Sequence, residues 1–469
     1  YTRMGTSTQA FGGVATWLAY VLNILTGKLD STGGMMFTQP AIDLIALGGM
    51  SGQKGHFGKR FSRVKKLPEF AGEYPSSTIA DEILTPGEGQ IRAFVTVAGN
   101  PVLSSPNGGR LDEAFGGLDF IVSVDYYLNE TTRHADVILP PTAGLERSHY
   151  DLIFSMFAVR NTAKYSPALF DAGKDARHDW QILLELAHRL EKKRKGGRLP
   201  LRSEMGWRAF KQIGPDPILD LMLRAGPYGT DIGPARGLVQ PAIDLVMDIL
   251  PERHPLRGLA KMSPLNRHWQ DLPKGLSISA LKELPNGVDL GPLRPCMPGR
   301  LFTRDGKVNL APRRYLQDLG RLHALLTAPA SDGLLLIGRR HVRSNNSWMH
   351  NSQRLVKGKD RCTLMIHPKD AARCGLQAGD SAEIGSTSGQ IVLPVEITED
   401  VMAGVVSVPH GWGHHRKGTG QSVAVAHAGA SINDVLSDQE IDPLVGTSVL
   451  NGQTVSVKVW RADRQRKQA

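Results

Sequence analysis

Cysteine is nearly absent from this chain. Only Cys296, Cys362 and Cys374 occur in 469 residues, and none stands in a Cys-x-x-Cys pair. That excludes a disulfide scaffold and favours a reducing, cytoplasmic compartment. Long hydrophobic runs are missing too. The longest apolar stretch near the start, VATWLAYVLNIL (Val14 to Leu25), is too short to cross a bilayer, and no charged-then-apolar leader is visible. Nor is there a Walker loop, a GxGxxG, a GxSxG or an HExxH. A free-standing hydrolase, nicotinamide enzyme or zinc protease therefore has no support. Aromatics make up only 6%, with no basic-and-aromatic stripe, so no nucleic-acid partner is expected. The first residue is Tyr1 rather than Met, and the chain reads as a piece of a longer protein.

The remainder is an ordinary globular composition, 41% hydrophobic and 22% charged, long enough for two to four domains. Carboxylates are outnumbered by cations, giving a net charge of +11. Part of that excess has a structural reading: HRLEKKRKGGR (His188 to Arg198) closes a helix, where cations complement the dipole. The tail WRADRQRKQA adds more. A phosphate-rich cofactor is a further anionic partner for this charge.

Periodicity divides the chain near residue 330. Before it, Gly12 to Leu25 reads as a helix closed by Gly27. Residues 50 to 90 are loop-rich. Ile91 to Ala98, FIVSV (Phe120 to Val124) and DVILP (Asp136 to Pro140) are short apolar runs suited to buried parallel strands. Asp175 to Lys193 forms an apolar-faced helix with Asp179 as its N-cap, and DPILDLMLRAG (Asp216 to Gly226) is a weaker helix. ALLTAPASDG (Ala324 to Gly333) reads as a linker. After it come GLLLIG, CTLMIHP, SAEIGS, GQIVLPVEIT, GVVSVPHG and TVSVKVW, short strands at close spacing. Ser386 to Gly389 makes a hairpin turn, and one helix (His367 to Gly375) interrupts. This pattern is a small β-barrel or sandwich.

Chemistry concentrates at strand ends. VAGNPVLS places Gly99, Asn100 and Pro101 directly after a strand, where ligands lie in an open α/β sheet; a plain turn is the alternative. Asp125 ends the next strand, able to accept from a nucleobase or ribose or to cap a helix. GRRHVRSNNSWMHNSQRL (Gly338 to Leu355) crowds four arginines, two histidines, three asparagines and three serines behind GLLLIG. His341, His350, His410, His414 and His415 show no metal-ligand spacing and suit surface or ligand-contact positions.

Five stretches resemble, in order, the molybdopterin oxidoreductases that bind two molybdopterin guanine dinucleotides, a group with formate dehydrogenases, nitrate reductases and thiosulfate reductases. They are YTRMGTSTQAFGGVATWLAYVLNILTGKLDSTGGMMF, VAGNPVLSSPN, DYYLNETTRHADVILPPTAGLE, LFTRDGKVNLAP, and the region from Leu334 with HPKDAARCGLQAGD, VPHGWG and INDVLSDQEIDPLVGTSV. Lys28 and Asp305 depart from the family's usual Asn and Ser. The resemblance implies a Rossmann-like α/β core over residues 1–330 and a double-psi β-barrel dinucleotide-binding domain over 331–469. It implies a molybdenum or tungsten cofactor, a small-molecule substrate, an electron-transfer subunit, and no membrane span. The iron–sulfur cysteines and the metal ligand would lie upstream of Tyr1, so no metal ligand and no catalytic residue is assigned here. It places Gly99, Asn100 and Pro101 against one dinucleotide. Ser123 and Asp125 would sit at its guanosine end, with Thr131, Thr132, His134 and Asp136 in the same site. Arg340, Asn346, Ser347, Trp348 and Asn351 would meet pterin or phosphate, and His410, Gly411, Trp412 and Asn433 would close over it. Gln39 and Pro40 stand where formate dehydrogenases carry an arginine, which weakens formate as substrate. A non-catalytic relative serving as a scaffold or complex subunit is the alternative.

Overall fold

The computed structural model describes residues 2–50, 56–230, 272–301, 303, 305–329 and 332–461, with isolated positions between 241 and 256. Phe302 and Arg304 of the LFTRDGKVNLAP segment, Ala330 and Ser331 of the expected linker, and the tail beyond Arg461 lie outside the described residues. The chain forms two compact units that interleave along the sequence: residues 1–19, 56–139 and 311–469 make the first, and 20–55 and 140–310 the second.

In the first unit, the three apolar runs become a parallel sheet of β1 (Ala93–Val97), β2 (Phe120–Val124) and β3 (Val137–Ile138), in that order. Their β-branched residues suit a pleated, packed surface. Phe94 and Ile121 pack with Ala80, Ile83, Leu111, Ala114 and Phe115, from the helices Ile79–Leu84 and Gly108–Gly116. Asn107, in the left-handed conformation with φ 56°, caps the second of these by accepting from Arg110 N. Residues 50 to 90 thus hold a helix and the strand pair Phe57–Phe61 and Pro68–Phe70 among their loops.

The strands after residue 333 close into a six-stranded barrel. They are β4 (Leu334–Arg339), β5 (Leu364–Ile366), β6 (Ser381–Gly385), β7 (Gln390–Ile397), β8 (Val405–Pro409) and β9 (Gln453–Val459), in the closed order β4-β8-β5-β7-β6-β9. The pairs β4/β8 and β5/β7 are parallel and the others antiparallel. Period-two alternation sends Leu336, Leu364, Ile366, Ile384, Leu393, Val406, Val408 and Val455 inward as one core. Closure removes sheet edges, so each strand's backbone groups pair within the barrel. The Ser386 to Gly389 turn joins β6 to β7, with Ser386 N donating to Gly389 O at 2.9 Å. The helix Pro368–Arg373 starts with Pro at its first turn and His367 as N-cap, and Gly375 follows it at φ 69°. The expected linker is shorter than read, because Ala324 to Thr327 are the last turn of the helix Arg313–Thr327. The N-terminal segment docks on this unit: Asn451 Nδ2 donates to Thr8 Oγ1 at 2.7 Å, and Gly13 N to Asp442 Oδ2 at 2.6 Å.

In the second unit, helices Asp179–Arg194, Leu201–Ile213 and Pro215–Ala225 accompany two small antiparallel pairs, His149–Tyr150 with Tyr165–Ser166 and Arg160–Ala163 with Val288–Pro292. Its core gathers Ile42, Tyr165, Leu223, Tyr228, Leu281 and Leu290. The first helix begins one residue earlier than its sequence signal. His178, in extended backbone, is the N-cap, and Asp179 sits in the first turn. His178 N donates to Gln181 Oε1 at 2.9 Å, completing a capping box in which the imidazole takes the usual hydroxyl's place. Gln39 is buried; its backbone N donates to Asn161 Oδ1, and its carbonyl accepts from the Tyr228 hydroxyl, both at 2.8 Å.

Barrel packing sets a clear contrast. Leu364→Ala, at a fully buried position, should cost about 2–5 kcal/mol of unfolding free energy. Leu335→Ala, on the outer face of β4 and 41% exposed, should stay within about 0.5 kcal/mol of wild type. Urea unfolding of the two variants checks this; equal losses would mean the barrel interior is not the core it forms here.

Candidate functional site

Beyond the carboxyl ends of β1 and β2, within the first unit, lies a crevice lined by Gly99, Asn100, Asp125, Tyr127, Asn129, Ser347, Trp348 and Gln421. Its floor is made by two strand-end turns. Ala98 takes a left-handed φ of 50°, Gly99 keeps the backbone bare, and Pro101 opens the helix Pro101–Ser104. Asn100 is held at both ends of its amide: Nδ2 donates to Glu130 Oε2 at 2.8 Å, and Oδ1 accepts from Thr131 Oγ1 at 2.7 Å. Asp125 is buried and accepts from Tyr126 N, Tyr127 N and Asn129 Nδ2 at 2.7, 3.1 and 3.2 Å. Burial nonetheless pushes its carboxyl above the usual range.

The Asn129 to Thr132 loop is cross-linked to itself. Asn129 Oδ1 accepts from the backbone N of Thr131 and of Thr132, both at 2.9 Å. Thr132 Oγ1 donates to Tyr127 O at 2.6 Å. Thr131 Oγ1 also accepts from Val102 N at 3.2 Å. Both threonines are sealed from solvent and hold the crevice loops from behind. Ser123 does likewise, fully buried and accepting from Thr96 Oγ1 at 2.8 Å.

The facing wall comes from the barrel. Trp348 stands edge-on to Tyr126 and Tyr127, with centroids 5.5 and 6.4 Å away. Arg340 donates to Asn346 Oδ1, and among the described residues no carboxylate pairs with it. Burial lowers its pKa. Burial and the Arg340 charge hold His410 down to about 4, and burial with Arg361, Arg343 and Arg339 lowers His341. Arg340, with Arg339, Arg343 and Arg361 nearby, thus makes this loop strongly positive, chemistry that fits a pyrophosphate. Gly411, at φ 94°, is required by contact as well as by conformation, since a Cβ there would lie 2.1 Å from Asn346 O.

The structure brings Gly99, Asn100, Asp125, Ser347 and Trp348 of the sequence-derived set to the crevice, with Pro101, Thr131, Thr132, Arg340 and Asn346 directly supporting those residues or their loops. Others are spent elsewhere. Asn351 Oδ1 caps the helix Ser422–Ala426 by accepting from Val423 N and Ala424 N at 3.1 and 3.3 Å. Asn433 Nδ2 donates to Leu103 O at 2.6 Å. Trp412 stacks on His350, 4.1 Å between centroids. Asp136 accepts from Ile121 N, near the start of β2, the end opposite the crevice. His134 bonds Asp112 at 2.6 Å. Tyr127, Asn129 and Gln421 were not singled out in the sequence. The first two lie inside the quoted DYYLNETT stretch; Gln421 carries no sequence signal.

The histidines need correction. His350 and His414 are buried, not at the surface. Glu130 Oε1 meets His414 Nδ1 at 2.8 Å, His414 Nε2 meets His350 Nδ1 at 3.0 Å, and His350 Nε2 meets Ser344 Oγ at 2.9 Å. Burial and the neighbouring His414 hold His350 down to about 3, so it is neutral. For Glu130, burial works to raise the pKa, but the His414 hydrogen bond and charge outweigh it and lower it. Among the described residues no group of His, Cys, Asp and Glu side chains has the geometry to hold a metal ion.

Two family models match the chain: Molybdopterin oxidoreductase over residues 4–189 and Molydopterin dinucleotide binding domain over residues 334–453, together more than half of it. The chain belongs to the molybdopterin oxidoreductases. It is 25% identical over 427 residues to the dimethyl sulfoxide/trimethylamine N-oxide reductase of Cereibacter sphaeroides, covering 85% of this chain and 47% of that one. To a nitrate reductase of Symbiobacterium thermophilum it is 26% identical over 410 residues, 82% of this chain and 47% of that one. Acetylene hydratase from Pelobacter acetylenicus shares the fold at a TM-score of 0.52 and 18% identity, over 82% of this chain and 46% of that chain. The chain thus spans about half the length of the relatives it matches. The closed barrel is the part matched by the dinucleotide-binding model, which implies a molybdopterin cofactor with molybdenum.

Beside the site, Asp112 anchors Arg133, His134 and Arg416. Burial alone would raise its pKa, but His134, Arg133 and Arg416 hold it down to about 2. A depressed carboxylate stabilises the fold above its unfolded pKa, and that contribution fades as pH falls through the folded value. Asp112→Asn should therefore cost roughly 2 kcal/mol at pH 7, and the difference should close between about pH 4 and pH 2. Urea unfolding of both proteins across that range checks it; a pH-independent difference would contradict the assignment.

Proposed function

We propose that this chain is the C-terminal part of a molybdopterin-dependent oxidoreductase and that the crevice beyond β1 and β2 takes the nucleotide portion of a molybdopterin guanine dinucleotide. The observation that carries the reading is the crevice itself: a strand-end cleft, lined by Asn100 and Asp125, beside a barrel loop whose Arg340 has no carboxylate partner among the described residues. Asp125 would accept from the guanosine, Gly99 would let the backbone approach, and Ser347 and Trp348 would bound the ligand. Arg340 and Asn346 would meet phosphate or pterin, with His410 and Gly411 shaping the loop behind them. Asn351, Trp412, Asn433, Ser123, His134 and Asp136 would act by holding that framework.

When bound, the molybdenum or tungsten of the cofactor supplies two-electron redox chemistry. The family resemblance supports two dinucleotides per active unit. It also implies an iron–sulfur cluster and an electron-transfer subunit, while the scarcity of cysteine favours a cytoplasmic setting. Domain limits at 1–330 and 331–469 belong to the same reading. Relatives named for dimethyl sulfoxide, trimethylamine N-oxide and nitrate, with Gln39 and Pro40 in place of an arginine, favour reduction of a small oxygen-bearing molecule over formate oxidation.

Metal and pterin analysis of the full-length protein from its own host tests the reading. Stoichiometric molybdenum or tungsten with two guanine dinucleotides is expected. Absence of both, with cofactor synthesis intact, would leave the non-catalytic scaffold. Arg340→Ala combined with Asn346→Ala should lower bound pterin at least about tenfold, since charge-assisted bonds contribute roughly 1.5–3 kcal/mol each. Undiminished content would show that this loop holds something else.

A further inference from the structure

Two helices of the second unit, Asp179–Arg194 and Leu201–Ile213, hold no buried residue. They meet as an antiparallel hairpin: Trp180 packs edge-on against Phe210, and His188 stacks on Trp207 and bonds Glu204. The turn between them is closed by its own backbone. Gly196 N donates to Lys193 O at 3.1 Å and Gly197 N to Lys192 O at 2.8 Å, with both glycines in the left-handed region. Around that turn, residues 189–202 hold seven cations and one carboxylate. Every carboxylate of the two helices is already engaged: Asp179 by Arg147, Glu185 by Arg189 and Lys211, Glu191 by Arg194, and Glu204 by His188 and Arg208. Lys192, Lys193, Lys195, Arg198 and Arg202 are exposed and have no carboxylate partner among the described residues. The helix dipole accounts for Lys192 and Lys193, in the last turn of the first helix. It works against Arg202, in the first turn of the second. Leu190 and Leu201 stand among these charges, 65% and 75% exposed.

We propose that the end of this hairpin is a docking surface for anionic phospholipid. Its lysines and arginines lie among the headgroups of a bilayer, and Leu190 and Leu201 enter the acyl boundary. The inference goes beyond the nucleotide reading and does not depend on it, because the crevice belongs to the first unit. Like charges gathered around one turn repel, and two bare leucines beside them gain nothing in water. A bilayer surface relieves both costs at once: polybasic segments are drawn to anionic headgroups, and apolar side chains next to them add buried area. Nucleic acid would call for aromatic rings to stack on its bases. The turn has none, and the nearby Trp207 is already covered by His188 and Lys211. An acidic protein would account for the cations but leaves the two leucines without a role. The contact is peripheral, with the hairpin lying on the membrane and not crossing it; no helix among the described residues is long and apolar enough to cross.

The test is sedimentation of the full chain with vesicles of phosphatidylglycerol and phosphatidylcholine. Binding should require phosphatidylglycerol and should fall steeply as salt rises, because the screening length shortens. Lys192→Gln, Lys193→Gln and Lys195→Gln together should weaken it about a hundredfold. Leu190→Ser with Leu201→Ser should weaken it about tenfold and leave the salt dependence unchanged. All five positions are exposed, and circular dichroism should show both variants folded like wild type. No binding to phosphatidylglycerol at low salt would overturn the proposal. So would binding that survives the lysine substitutions, which would place it on another basic surface. Binding lost with the lysines but unchanged by the leucine substitutions would also overturn it, leaving the turn as a contact for an acidic protein.

Discussion

A carboxylate with no solvent exposure, Glu130, governs the candidate site. A buried charge of this kind survives only when paired and fully hydrogen-bonded. Glu130 achieves this with Asn100 on one oxygen and His414 on the other. Those two partners come from the strand-end turn of the α/β sheet and from the glycine-rich loop of the barrel region. Satisfying one carboxylate therefore brings both walls of the crevice together, and His414 hands the constraint on to His350 and Ser344. Leaving any member unpaired would cost about 1–3 kcal/mol, which ties the geometry of the row to the stability of the first unit.

Around that carboxylate, the polar residues divide into two kinds. Thr131, Thr132, Asn129 and Asn351 each bond at least one backbone group, replacing regular structure that loops lack, and Thr131 and Asn129 also hold the Asn100 and Asp125 side chains. Arg340 and its neighbours Arg339, Arg343 and Arg361 instead set the positive charge that, with burial, lowers the pKa of His341 and His410. Mutually repelling cations held close by the fold are costly unless an anion completes them. The matched dinucleotide-binding domain and the positive loop thus agree on the kind of ligand, from independent observations.

Most elements were legible because their periodicity is strong. Gly12–Leu25 forms the helix its apolar spacing and closing Gly27 suggest, and the valine-rich runs from Ala93 and Phe120 pair as parallel strands. The six short strands after residue 333 close into one barrel, because alternation gives each an apolar inner face. Boundaries were less legible. His178 rather than Asp179 caps its helix, since the cap is set by which residue turns extended, not by residue type alone. Ala324 to Thr327 remain helical where a linker was read, because nothing in those residues breaks a helix before Pro329. His350 and His414 are neither at the surface nor in the crevice lining, where surface or ligand-contact positions were expected, because burial of a polar residue depends on partners that spacing does not reveal.

The sequence by itself determined the family, the strand and helix order, and the concentration of donors between Gly338 and Leu355, since these follow from local pattern and motif order. Only the tertiary structure decided which donors are consumed and which face the crevice. Asn433 reaches Leu103 across 330 residues, and His414 reaches Glu130 across 284. Such pairings depend on how the barrel's loops dock on the sheet. A hydrogen bond acts over about 3 Å, so its partner is fixed by the folded chain and not by position along it.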